Sequence, residues 1–176
     1  MRRILRELDA RGYRRIALGI SKRVDEITER RNSNTFLSEV QRQYPHITPL
    51  IADTIEETPK AAQNWILKHK PDCVISLSSL FPTTLRSYGW KVPQEIGHAY
   101  IHIEPTQSTK QATNQSGIEY NSPEIAAAAI DKLDSLLQRN ELGLPERPLT
   151  LNLRGKWLEG NTLQPRLVSP LATSLI

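Results

Sequence analysis

The spacing of apolar side chains along the chain predicts short buried strands that alternate with helices. Residues 1–11 carry apolar side chains at helical spacing, and residues 14–20 show a short buried-strand pattern. A polar loop is expected over residues 21–28, where Thr28 caps a helix that runs to about residue 44. The chain therefore opens on a helix that leads into a strand.

The later segments continue this alternation, which is typical of an α/β fold with a parallel sheet. Residues 104–116 are polar and form the expected loop or crossover, and no pattern is visible after Asn161. The other expected elements are a strand over 47–51 that Pro49 restricts to an edge or a short length, a helix from Pro59 to His69 that Thr58 caps, strands over 73–77 and 99–103 around a helix over 80–88, the longest helix from Ser122 to about Asn140, and a half-buried strand over 149–153.

The carboxyl ends of two of these strands predict where a pocket would lie. Ligands of open α/β sheets bind at the edge where the strands end at their carboxyl side. Ser78 and Ser79 follow one strand, and His102 and Glu104 lie at the end of the next. We therefore expect any pocket to lie near these four side chains.

Composition limits the classes of protein to which the chain can belong. The 176 residues are enough for one domain, and the single cysteine, Cys73, excludes an internal disulfide. No apolar run approaches the length of about 18 residues that a membrane span needs. The charged N-terminus also lacks the apolar core of a signal peptide. A cytoplasmic location without membrane contact follows as the default expectation.

The net charge of +4 is concentrated at the start of the chain. Residues 1–31 carry ten Lys or Arg side chains against five Asp or Glu side chains, whereas the remaining residues carry 13 and 14. Such a basic segment either contacts the phosphates of a nucleic acid or forms a solvated helix face. Charge runs are more often the latter, and both alternatives stay open here.

The sequence contains no motif of a catalytic or metal site. The four histidines form no H-E-x-x-H pair. His98 and His102 would lie roughly 13 Å apart on one strand, which is too far to share a metal ion. No G-x-S-x-G, P-loop or G-x-G-x-x-G motif is present. We therefore expect no enzyme activity, no cofactor and no metal.

Several segments resemble, in order along the chain, the effector-binding domain of lactose-repressor-like (LacI-family) bacterial transcription regulators. The resemblance extends from Leu5 to about Leu163. The segments are LDARGYRRIA at 8–17, PDCVI at 71–75, GWKVPQEIG at 89–97, GIEYN at 117–121, EIAAAA at 124–129, NELGLP at 140–145 and LTLNLRGKW at 149–157.

This resemblance implies a periplasmic-binding-protein-like type I α/β fold, with parallel sheets flanked by helices and a ligand cleft between two lobes. Residues 1–163 would form a partial sensor domain. One lobe, made of residues 1–103 plus 149–163, would be nearly whole. The other lobe would be incomplete, since it would receive only residues 104–148. Residues 164–176 are expected to be a disordered tail.

The resemblance also implies a function. A small polar effector, such as a sugar, would bind in the cleft and bias lobe closure, and the protein would act as a homodimer. Family regulators contact DNA through an N-terminal helix-turn-helix, which this sequence lacks. Contact with DNA would therefore require such a domain from outside this chain.

Two other functions remain open. If the resemblance reflects shared topology alone, the chain would be a stand-alone flavodoxin-like α/β domain that acts as an enzyme or a response module. A non-enzymatic dimerisation module would instead use the first helix and the helix over residues 122–140 as its partner surface.

Two candidate ligand contacts, Arg30 and Ser79, come from positions that the family uses. The family often has an arginine at the start of the helix that follows the strand corresponding to residues 14–20. In this sequence that position falls on Arg30, and Arg31 is the competing position. A guanidinium there donates paired hydrogen bonds to hydroxyls or a carboxylate. Ser79 stands where the family has Asn-Asp, and it either binds the ligand or caps a helix.

Three further candidates, Trp90, His102 and Glu104, lie near the second strand end. Trp90 is expected either to stack on a sugar face or to pack in the core. His102 and Glu104 lie at the crossover, where they face either the cleft or solvent.

Overall fold

Helices and strands alternate through most of the computed structural model, which describes residues 1–53, 58–77, 81–103, 114–141, 143 and 147–166. The elements are α1 (Arg2–Ala10), β1 (Arg15–Gly19), α2 (Lys22–Ile27), α3 (Arg31–Gln43), β2 (Thr48–Ala52), α4 (Pro59–His69), β3 (Cys73–Ser76), α5 (Phe81–Ser87), β4 (Gly97–Ile103), β5 (Gly117–Glu119), α6 (Ser122–Gln138) and β6 (Lys156–Leu158).

The six strands form one sheet in the order β2-β1-β3-β4-β5-β6. The first five are parallel to their neighbours, and β6 is antiparallel to β5. Parallel strands need a crossover between them, which explains why helices separate β1 to β4 in the sequence. The predicted α/β class with a parallel sheet and flanking helices is confirmed.

Helices cover both faces of the sheet, so that β1 is buried on both sides. Ile16 and Leu18 of β1 pack with α1 and α3 in one hydrophobic cluster. Ala17, between them, packs with α4 and α5 in another. Because side chains alternate across a strand, a continuous apolar run is what a strand between two helical layers requires.

Two local signals in the sequence have the expected structural effect. Pro49 lies in β2, the edge strand of the sheet, where its missing N–H breaks no bond of an inner ladder. Thr58 is the N-cap of α4, and its hydroxyl accepts a hydrogen bond from the Ala61 N–H at 3.1 Å, with Pro59 at the first helical position.

The structure differs from the sequence-based expectation in three segments. Residues 22–27, expected in a loop, form α2, whose N-cap is Ser21. The predicted strand over 149–153 does not form, and Leu149, Leu151 and Leu153 are exposed. The last strand is β6 instead.

The third difference concerns the division into lobes. Residues 104–148 were expected in the second lobe, yet β5 pairs with β4 in the main sheet. In contrast, α6 has no buried residue, and its apolar side chains Ile130, Leu133 and Leu137 are between 56% and 66% exposed. Within the described part of the chain, only β5 and β6 extend the sheet beyond β4.

The ordered chain continues past the predicted tail boundary at residue 163. The Thr162 hydroxyl donates to the His98 carbonyl at 2.7 Å and accepts from the Ser116 N–H at 3.0 Å. Leu163 is buried in the same cluster as β1. Arg166 then donates hydrogen bonds to the carbonyls of Asp72, Pro93, Gln94 and Glu95.

Several cations at the start of the chain form ion pairs with carboxylates of the same protein. Among the described residues, five of the ten cations of residues 1–31 form an ion pair with a carboxylate, namely Arg2, Arg3, Arg11, Arg14 and Arg31. Charges that are neutralised in this way attract a polyanion less strongly, which favours the solvated-surface alternative for this segment as a whole. No helix among the described residues combines the length and apolar composition that crossing a membrane requires.

A buried histidine lies between the sheet and α5. His98 is fully buried, its Nε2 is hydrogen-bonded to the Ser76 hydroxyl at 2.9 Å, and its ring contacts those of Phe81 and Tyr100. Burial, and secondarily the positive charge of Arg86, lowers the pKa of His98 from its usual 6.5 to about 3. The imidazole is therefore neutral in the folded protein at any pH above that value.

We predict that His98 makes the fold sensitive to mild acid. Below pH 6.5 the unfolded chain binds a proton at this imidazole and the folded chain does not, so stability falls as the pH drops toward 3. Between pH 7 and pH 5 the expected loss is about 2 kcal/mol of unfolding free energy. Urea unfolding at both pH values should show this loss of unfolding free energy in the wild type and not in His98→Gln. His69→Gln should keep the pH dependence of the wild type. Equal pH dependence in His98→Gln would contradict the prediction.

We also predict that Arg166 stabilises the loop before β4. Arg166→Ala removes the guanidinium that donates hydrogen bonds to four backbone carbonyls. The substitution should therefore lower the unfolding free energy by about 2–3 kcal/mol. Arg42, an exposed cation of α3, is the matched control, and Arg42→Ala should change stability by less than about 0.5 kcal/mol. Denaturant unfolding measures both, and similar values for the two variants would contradict the assigned role.

Candidate functional site

A cavity of about 240 Å³ opens at the carboxyl edge of the sheet. Ile20 and Asp53, which directly follow β1 and β2, form part of its wall. Parallel strands end at the same edge, so these two positions are brought together although 33 positions of sequence separate them. The cavity therefore occupies the place where ligands of open α/β sheets bind.

Charged side chains of α2 and the α2–α3 turn complete the wall. Lys22, Asp25 and Glu26 come from α2, and Arg30 precedes α3. Among the residues that the structure describes, none of these charged groups forms an ion pair with another. The cavity thus offers both hydrogen-bond donors and carboxylate acceptors to a polar molecule.

Arg30 is held in an unusual backbone conformation. Glu29 and Arg30 both have positive φ values, 53° and 55°, which side-chain-bearing residues rarely adopt. The Arg30 N–H donates to the Asp25 carbonyl at 2.7 Å, which closes the turn between α2 and α3. Such conformations persist only where the surroundings enforce them, and they often occur in ligand-binding segments.

Asp25 has one carboxylate oxygen committed and one uncommitted. Its Oδ2 accepts a hydrogen bond from the Ser33 hydroxyl at 2.8 Å, which fixes the carboxylate against α3. Its Oδ1 is buried and has no hydrogen-bond partner among the described residues. A buried acceptor without a partner costs free energy, which a donor from a ligand or a water would recover.

His102 lies at the same edge of the sheet but on strand β4. It is half-buried, and its ring stacks on that of Tyr120 with 4.2 Å between ring centroids. Tyr120 directly follows β5, so the stacked pair joins the ends of two neighbouring strands. His98 and His102 are both in β4, as the sequence predicted.

The remaining candidates are placed elsewhere. Trp90 packs against the cluster of α4 and α5 and lines a groove with Asp72 and Ile96, which directly precede β3 and β4. Trp90 is therefore at the amino edge of the sheet, away from Arg30. Ser79 and Glu104 lie outside the described residues.

Sequence reasoning did not select Asp25 and Asp53. Asp53 lies two residues after the predicted strand over 47–51, near the strand end to which the rule for open sheets points. For Asp25 no such signal exists, because the sequence predicts a polar loop over residues 21–28. No group of three or more His, Cys, Asp or Glu side chains in the described part of the chain is arranged to hold a metal ion.

No protein-family model and no curated protein matches the sequence. Solved structures do match it. A LacI-family transcriptional regulator from Bifidobacterium animalis subsp. lactis matches 93% of the chain at 14% identity and a TM-score of 0.66. One from Corynebacterium glutamicum matches 92% at 18% identity and a TM-score of 0.65. The dimeric lac repressor with an 11-residue C-terminal deletion matches 92% at 15% identity and a TM-score of 0.66.

The fold is that of the LacI-family regulators. The resemblance inferred from the sequence motifs is thereby confirmed at the level of the periplasmic-binding-protein-like α/β fold. The chain spans 60%, 63% and 60% of the length of these three structures. About two fifths of each larger protein therefore has no counterpart here.

We predict that the backbone strain beside Arg30 can be relieved by glycine. Glu29→Gly should raise the unfolding free energy by about 0.5–1 kcal/mol, because glycine adopts positive φ without the cost that a side chain adds. The exposed Glu29–Arg31 ion pair that is lost contributes little. Gln41→Gly, inside α3, should instead destabilise by about 1 kcal/mol. If denaturant unfolding shows that Glu29→Gly destabilises the protein, the assignment of backbone strain to Glu29 is contradicted.

Proposed function

We propose that this chain is a ligand-sensing part of a bacterial transcription regulator, and that it binds a small polar effector, such as a sugar, at the carboxyl-edge cavity. The observation that supports the proposal most directly is the placement of Arg30 in one cavity with the carboxylate-bearing residues Asp25 and Asp53, on a fold shared with LacI-family regulators. Neighbouring hydroxyls of a sugar both donate and accept hydrogen bonds. They therefore complement a wall that contains guanidinium, ammonium and carboxylate groups.

His102, with Ser79 and Glu104 from outside the described residues, would extend this site along the carboxyl edge toward β4. Among the described residues, His102 lies near the end of β4, and β3 and β4 follow β1 in the strand order. Trp90 stays a candidate on the resemblance alone, because its groove lies at the other edge.

The apolar side of α6 suggests how a second lobe would contribute. No residue of α6 is buried, and about two fifths of the length of the larger regulators lies outside the matched part. We propose that α6 packs against that second lobe and that the effector lies between the lobes. An effector that binds the closed arrangement more tightly would then bias lobe closure.

DNA contact and dimerisation enter the proposal only through the family. A helix-turn-helix outside this chain would bind DNA, and a homodimer would place two such elements on one operator. The main alternative is the flavodoxin-like stand-alone domain, which the pairing of β5 with β4 in a single sheet favours. The dimerisation module is the other alternative, and the exposed face of α6 favours it.

The test is ligand-dependent thermal stabilisation of the chain with a panel of monosaccharides. A sugar at about 100 times its dissociation constant should stabilise the native state by about 2.7 kcal/mol and raise the melting temperature. Arg30→Gln should abolish the shift. Arg31→Gln is the matched control, because Arg31 neighbours Arg30 but does not line the cavity.

The outcome separates the alternatives. A shift that survives in Arg30→Gln and disappears in Arg31→Gln would contradict the assignment of Arg30. If no sugar shifts the melting temperature of wild type, sugar sensing by this chain is contradicted. A dimer that Leu133→Asp dissociates would favour the dimerisation module.

A further inference from the structure

A second cavity, of about 900 Å³, lies on the α1–α3 face of the molecule. It is bounded by α1, by α3 and by the start of β6, and Ile118 of β5 also contacts it. The two cavities share no lining residue, since the smaller one lies where β1 and β2 end and the larger one is bounded by α1, α3, β5 and β6. Its volume is within the range of about 300–1,000 Å³ that small-molecule sites occupy.

Five cations line this cavity, against one carboxylate, that of Glu39. Elements that are distant in the sequence contribute the positive charges. They are Arg2, Arg3 and Arg6 from α1, and Arg154 and Lys156 from the start of β6.

Carboxylates neutralise three of these cations. Arg2 pairs with Glu39 at 2.7 Å, and Arg3 pairs with Glu7 at 2.7 Å. Lys156 lies 3.1 Å from a carboxylate oxygen of Glu119.

Arg6 and Arg154 are the uncommitted cations of the cavity. Neither forms an ion pair with another described residue, although both contribute to the same wall. Because both guanidinium groups line the same cavity, both would attract an anion that binds there. Guanidinium groups also match the geometry of oxyanions, to which they can donate paired hydrogen bonds.

An apolar surface continues the cavity beside the cations. Tyr44, Ile118 and Trp157 contribute to the wall and also pack against the buried cluster of β1. The Trp157 indole is held in place, because its Nε1 donates to Glu159 at 2.8 Å and the guanidinium of Arg11 lies 5.7 Å from its ring centroid. The cavity is therefore a concave site with a fixed apolar side, unlike a flat basic surface.

We propose that this cavity binds a small multivalent oxyanion, with Arg6 and Arg154 as its principal contacts. Several negative groups are required because the cations are distributed over two elements rather than gathered at one point. A concave site favours a small anion over a nucleic acid, whose backbone would need an extended basic surface. This proposal is independent of the effector site at the carboxyl edge.

The test is calorimetric titration of the chain with sodium tripolyphosphate and, in parallel, with citrate, which distinguishes phosphate from carboxylate ligands. We expect saturable binding of at least one of them, and the affinity should fall as NaCl is raised. The double variant Arg6→Gln/Arg154→Gln should weaken binding by at least about tenfold. The matched control is Arg23→Gln/Arg42→Gln, which removes the same charge from exposed helix positions outside the cavity and should change the affinity by less than about twofold.

Three results would overturn the proposal. The first is the absence of binding of both anions to wild type. The second is equal weakening in the two double variants, which would indicate attraction by net charge alone. The third is tighter binding of a DNA duplex than of tripolyphosphate with the same dependence on Arg6 and Arg154. Circular dichroism of each variant confirms that a loss of binding is not a loss of fold.

Discussion

The burial of β1 on both faces is the constraint on which the rest of this structure depends. Ile16 and Leu18 require cover from one side and Ala17 from the other, so neither helical layer alone would satisfy the strand. The chain therefore returns from β1 to β2 over one face and crosses to β3 over the other. The candidate effector cavity lies at the carboxyl end of β1, where Ile20 forms part of its wall.

Sequence patterns predicted most of the longer elements and missed the short elements α2 and β5. Pro49 indicated an edge strand and Thr58 a helix start, because each acts through its own backbone or its nearest neighbours. The alternation over residues 149–153 predicted a strand that is not formed, since alternation indicates a strand only where a partner and a core face are available. The three-residue strand β5 is too short for any periodicity to identify it.

The candidate site was predicted only in part, for a related reason. Arg30 was found through the resemblance and lies in the cavity, whereas its neighbour Asp25 gave no signal. The positive φ values at Glu29 and Arg30 are equally invisible, because neither residue is Gly or Asn, the residues that usually indicate such a turn. What the sequence does not reveal is the tertiary context that holds an unfavourable backbone in place and buries one oxygen of Asp25.

The exposed helix α6 limits how the chain can transmit a binding event. No residue of the 17-residue helix α6 is buried, so packing against the described part of the chain contributes little to its stability, and the proposed second lobe would supply a surface for its apolar side chains. Near its start, Tyr120 stacks on His102 at the carboxyl edge of the sheet. A ligand that contacts His102 would therefore act on the segment that orients α6. The proposed second lobe, if it covers α6, would then respond to ligand binding at the carboxyl edge of the sheet. A sensor needs such coupling between two sites, and one rigid sheet alone does not supply it.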